Sequence, residues 1–147
     1  MRHFLAVAVL AFAITGIARA EDVGHVKVAK GTVHVERDGK RLPAAVGMAV
    51  RQSDTLITGA DGSAGVTFSD NSLLSTGPNS VLVVDHYTFN ATTHAGKFDA
   101  SLKKGTLAVV SGKMVKQSPG SMRVRTPAAI MGVRGTEFMV QVDEPAK

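Results

Sequence analysis

Beyond Ala20 the chain carries almost no helical periodicity, and this limits its fold more than any other feature. What recurs is a run of about four to eight residues with apolar side chains at alternate positions, stopped by Gly, Asp, Asn, Ser or Pro. A period of two puts one face of a strand into a core, and the stop residues are those that reverse a chain. Val26 and Val28 lead to Gly31, and Val33 and Val35 run on to Asp38-Gly39, a favoured hairpin dipeptide. Leu56-Ile57-Thr58 reaches Gly59-Ala60-Asp61-Gly62, and Ala64, Val66 and Phe68 alternate before Ser69-Asp70-Asn71-Ser72. Leu73 to Thr76 is closed by Gly77-Pro78-Asn79-Ser80. Val81 to Val84 and Leu107 to Val110 are continuous apolar runs, which predict strands covered on both faces. Phe98, Ala100 and Leu102 alternate again, and Val124, Phe138, Val140 and Val142 finish the series.

Turn signals at this density predict one all-β domain of short stacked strands, β-solenoid-like, with a β-sandwich as the alternative. A Gly-Thr element opens three strands, at Gly31-Thr32-Val33, Gly105-Thr106-Leu107 and Gly135-Thr136 before Phe138. Its spacing is uneven, so it is not a tandem repeat. It predicts similar corners, each with Gly bending the chain and Thr entering the next strand.

The first twenty residues stand apart. Arg2-His3 is a short basic start, Phe4 to Ile17 is apolar except at Thr15 and Gly16, and Ala18-Arg19-Ala20 precedes Glu21-Asp22. These are the three parts of a secretory signal helix with cleavage after Ala20. The apolar run is shorter than the ~20 residues a spanning helix needs, so no stable membrane insertion is expected after cleavage. The expected division is residues 1–20 as signal and residues 21–147 as the all-β domain, its core at about 26–142. Export places it in the periplasm or outside the cell.

Loss of Arg2 and Arg19 leaves 15 Lys and Arg against 12 Asp and Glu. That small, dispersed excess lacks the clustered stripe and stacking aromatics of a nucleic-acid binder, so no nucleic-acid partner is expected. The chain has no Cys, so no disulfide supports it, and 127 residues are enough to bury a core without one.

Catalytic patterns fail on inspection. Asp61-Gly62-Ser63-Ala64-Gly65 has Asp where a nucleophile elbow needs its first Gly. Gly105 to Lys113 lacks phosphate-loop spacing and the Ser or Thr that should follow the Lys. His25, His34, His86 and His94 show no metal-ligand spacing. Asp61-Gly62-Ser63 and Asp70-Asn71-Ser72 lack the calcium-loop pattern and read as turns held by their own side chains. No enzyme, metal or cofactor is expected. A paired-carboxylate hydrolase would have to be assembled in space.

The most informative stretch is Arg123 to Phe138. Arg123-Val124-Arg125 reads as a strand ended by Pro127, and Ala128 to Met131 as a compact apolar turn or single helical turn. Gly132 and Gly135 bracket Arg134. Two roles fit that Arg: tying turn carbonyls of its own corner, or clamping a carboxylate of a partner.

Thr126-Pro127 followed by Gly132-Val133-Arg134-Gly135-Thr136-Glu137-Phe138 resembles the hallmark of the FecR family of periplasmic domains. Gly31-Thr32-Val33, Gly47, Thr58 to Ser63, Phe68 to Ser72 and Gly77 to Ser80 match in order, so the likeness spans about Val26 to Val142. The resemblance implies an all-β, solenoid-like domain that receives signals in the periplasm. The best-known members couple an outer-membrane iron-siderophore transducer to a cytoplasmic sigma factor. No cytoplasmic segment or internal membrane helix is read here, so direct contact with a sigma factor is not expected. The expectation is a stand-alone, non-catalytic sensor or adaptor that binds an envelope protein. Thr126, Pro127, Gly132, Val133, Arg134, Gly135, Thr136 and Phe138 form the candidate motif. A cell-wall or carbohydrate-binding module is the alternative, and it would need exposed aromatic rings.

Overall fold

The computed structural model describes Gly16 and residues 21–143. The signal helix and the Ala20 cleavage point lie outside the described residues. Twelve strands and one short helix follow: β1 Asp22–Lys30, β2 Val33–Arg37, β3 Lys40–Pro43, β4 Ala49–Arg51, β5 Thr55–Thr58, β6 Ser63–Phe68, β7 Leu73–Thr76, β8 Val81–Phe89, β9 Gly96–Val110, α1 Lys113–Gln117, β10 Met122–Arg125, β11 Ile130–Gly132 and β12 Glu137–Val142. The all-β expectation holds: the strands form one curled, half-barrel sheet. Its pairings are antiparallel except that of β10 with β9.

The curl comes from corners that stack. β1 passes into β2 through Gly31-Thr32, β5 into β6 through Gly59 to Gly62, and β7 into β8 through Gly77 to Ser80. β9 continues through its bend, where Gly105 has a φ of +92°. The corners lie side by side: Lys30 faces Ser63 and Val33 faces Thr58. Ala64 in turn faces Thr76, Ile57 faces Val81, and beyond them Leu107 and Lys104 take up the same two levels on β9.

Short polar groups lace this row together. The Gly59 amide donates to Thr32 O at 2.9 Å, and the Asn79 amide to Gly59 O at 3.0 Å. The Thr58 hydroxyl donates to Gly77 O at 2.6 Å and receives the Ser80 amide at 2.9 Å. The Thr106 amide donates to Ser80 Oγ at 3.0 Å. Hydrogen bonds from Thr32, hydroxyl first and then amide, hold the Asp61 carboxyl below its ordinary value. The Gly-Thr expectation is met at Gly31-Thr32 and Gly105-Thr106, whereas Gly135-Thr136 leads into β12 away from this row.

Each corner divides its strand, so the sheet has two wings that face one another. One holds β4, β1, β6, β7, the second half of β9 and β12. The other holds β3, β2, β5, β8, the first half of β9, β10 and β11. Val50, Val66 and Phe68 of the first wing meet Val35, Leu56, Leu82 and Val84 of the second around a gap of about 10 Å³, room for one water at most. Phe68 lies across from Phe98 and Tyr87, with ring centroids 4.6 and 5.4 Å away. Each such side chain, fully buried, contributes about 1.5–3 kcal/mol. The continuous apolar runs differ from expectation: Val81 and Val83 are only half-buried and Val110 is 39 % exposed. Their strands belong to an antiparallel sheet, which needs cover on one face alone.

Two buried carboxylates finish the frame. Asp70 Oδ1 accepts from the Ser72 hydroxyl at 2.6 Å and the Tyr87 hydroxyl at 3.1 Å, while the Asp70 amide lies 2.9 Å from the same Tyr oxygen. Burial and then the Asp70 charge push the Tyr87 phenol far above its ordinary range. Asp54 holds Arg37 through both oxygens, at 2.9 and 2.6 Å, and accepts the Arg51 amide at 2.8 Å. Arg37 also donates to Ala49 O at 2.9 Å, so β2 and β4 are tied across the wings.

A methyl group on Gly105 would stand 2.5 Å from the Ser80 Cα in the neighbouring corner, on a backbone already at positive φ. Gly39 shares the positive φ but has open space around it. Gly105→Ala is therefore expected to cost at least about 2 kcal/mol in urea unfolding, against about 1 kcal/mol for Gly39→Ala. Tyr87→Phe, which strips a partner from the buried Asp70 amide, should cost about 1–3 kcal/mol in the same assay.

Candidate partner-binding edge

β9 is the strand from which the candidate motif hangs. On one side it pairs with β8 and β7, and on the other with β10 along residues 98–101 and β12 along residues 105–110. β11 lies beyond β10 and, among the described residues, pairs with no other strand. The hairpin registers are Arg125 with Ile130, Val124 with Met131 and Arg123 with Gly132. The Val133 amide adds one more bond, to Met122 O at 2.9 Å.

Thr126 builds the loop of this hairpin. Its amide donates to Ala129 O at 2.8 Å, and its hydroxyl oxygen accepts the amides of Ala128 and Ala129 at 3.3 and 3.1 Å. Pro127 occupies a loop position where no amide hydrogen is needed. The stretch Ala128 to Met131 is thus a loop end followed by a strand, not a helical turn: the Thr126 hydroxyl draws the loop amides to itself and Ile130 enters the ladder.

Side chains alternate across the hairpin. Met122, Val124 and Val133 are buried and Met131 is half-buried, so these four face the core. Arg123, Arg125, Ile130, Gly132 and Arg134 fall on the opposite, solvent face. Gly135, at a φ of +110°, and Thr136 are then pinned through their carbonyls. The Ser111 hydroxyl donates to Gly135 O at 2.5 Å and the Ser111 amide to Thr136 O at 2.8 Å. Phe138 is half-buried on β12, turned inward with Val140, while Met139 between them is 75 % exposed.

The eight motif residues therefore share one hairpin and the start of β12, but not one spot. Thr126 and Pro127 form the loop, and Arg134 lies at the other end, beyond the Met122–Val133 bond. Beside the loop, Lys103, Thr126, Pro127, Ala128 and Gln141 line an open cleft of about 350 Å³. Sequence reasoning missed Ser111, whose role depends on the fold bringing residue 111 to residues 135 and 136.

The arginines divide sharply. Arg37 is paired with Asp54 at 2.6 Å, Arg41 with Glu36 at 3.7 Å and Arg51 with Asp22 at 3.0 Å. Arg123, Arg125 and Arg134 make no hydrogen bond or ion pair among the described residues. Among the described residues no three His, Asp or Glu side chains gather where a metal could sit.

A family model described as FecR protein matches residues 54–147, from the residue before β5 through β12 to the last residue of the chain. No curated protein and no solved structure matched the chain.

With no partner to lose, Arg134→Ala should leave stability within about 0.5 kcal/mol of the unaltered chain in urea unfolding. A loss above about 1.5 kcal/mol would mean that Arg134 ties its own corner after all.

Proposed function

This chain belongs to the FecR family, and from that premise we propose an exported, non-catalytic sensor or adaptor that works in the periplasm by binding a protein partner. The family is a regulatory one, concerned with signalling at the cell envelope. The observation that carries the reading is the placement of Arg134. A guanidinium that tied its own corner would donate to nearby carbonyls, whereas this one stands in solvent without a donor contact to any described residue. An exposed Arg between two glycines is well placed to meet a carboxylate or carbonyl brought by another chain. The alternative of a carbohydrate-binding module finds little support, because Phe68, Tyr87 and Phe98 are buried together and Phe89 and Phe138 are half-buried.

The test is capture from an envelope extract by the tagged protein after crosslinking. The unaltered chain should recover an envelope protein, and Arg134→Ala should recover several-fold less of it. Recovery of no envelope protein, or equal recovery by both forms, sinks the proposal.

A further inference from the structure

The outer face of the β10–β11 hairpin combines two features that point to one kind of occupant. The first is a free edge: among the described residues β11 is bonded to β10 alone, so its outward backbone groups are open to another strand. The second is charge. Arg125, Arg123 and Arg134 follow one another along this face, each on a residue of outward parity. Outward residues recur about every 7 Å along a strand, the same step as carboxylates at alternate positions of an extended chain. Gly132 lies between Ile130 and Arg134 with nothing within 4 Å of where a methyl would be, so the track is open there. Ile130, 63 % exposed, offers an apolar contact at the loop end. The carboxylate in register with Arg123, that of Asp99 on β9, is 3.5 Å from Lys97 and makes no ion pair with Arg123.

We propose that this face receives an extended acidic segment of the partner, added as a strand to the free edge of β11 with carboxylates at alternate positions on the outer face, where Arg134 adjoins the edge and the long side chains of Arg125 and Arg123 reach across β11 from β10. The inference rests on the partner-binding reading above and specifies its chemistry. Main-chain bonds to β11 supply part of the attraction, and the guanidiniums set the register and reject uncharged strands.

The probes are two synthetic peptides of identical composition, Thr-Glu-Val-Glu-Val-Glu-Thr and Thr-Val-Glu-Glu-Glu-Val-Thr. Binding to the full chain is followed by fluorescence anisotropy and by amide shifts in NMR. The alternating peptide should bind more tightly, with shifts centred on residues 130–134. The triple variant Arg123→Ser, Arg125→Ser, Arg134→Ser should weaken it about tenfold or more, since exposed pairs contribute about twofold to fivefold each. Equal affinity for the two isomers would reduce the effect to bulk charge and overturn the proposal. So would binding to phosphatidylglycerol vesicles with no response to either peptide. The isomer comparison uses the unaltered chain and holds even if the triple variant fails to fold. Capture of an envelope protein through Arg134 by a chain that ignores the alternating peptide overturns this inference alone and leaves the partner reading standing.

Discussion

The row of stacked corners is the constraint on which the rest of the molecule depends. Four neighbouring strands turn at the same level, so each corner must fit against the next at backbone distance. Glycine meets that demand at Gly31 and Gly105, which combine positive φ with close approach to Asp61 and Ser80. Hydroxyl groups of Thr58 and Ser80 then satisfy carbonyls and amides that the bend removes from the strand ladders. A side chain at one corner would push on its neighbour, and the wings would no longer close on Phe68, Tyr87 and Phe98.

Once the wings close, the carboxylates of Asp70 and Asp54 inside them need partners, and neighbouring strands and turns supply them. Asp70 is satisfied by Ser72 and by the one Tyr in the sequence. Asp54 is satisfied by Arg37 and by the Arg51 amide. Removing one member of such a buried pair leaves an uncompensated charge, which costs more than the pair contributes. The contrast with the solvent face of β10 and β11 is instructive. There the same residue type makes no ion pair with any described residue, in a chain that pairs its other described arginines even at the surface.

Much of this was legible in the residues. Alternation located the strands, because a half-buried strand writes a period of two into the sequence. The recurring Gly-Thr element identified two corners, because a tight bend beside another chain segment needs glycine. The both-face cover expected of Val81 to Val84 and Leu107 to Val110 did not materialise: a solvent-facing Val and a buried one look alike in sequence. The motif around Arg134 was found, but not its division between a loop and a distant strand end. The Thr126 loop was hidden because a side-chain hydroxyl takes up the amides of Ala128 and Ala129. Ser111 was hidden because its partners lie 24 and 25 residues away.

Edge strands endanger any open sheet, since a second molecule offers an equally good template. Here the last strand of one wing is only three residues long and is flanked by like charges. Two copies meeting through that edge would bring together two faces that each carry Arg134 beside the edge and Arg123 and Arg125 one strand behind it, and repulsion between these like charges opposes the main-chain bonds. Arginines that pair with no described residue thus work against the pairing of identical molecules at this open edge of the sheet.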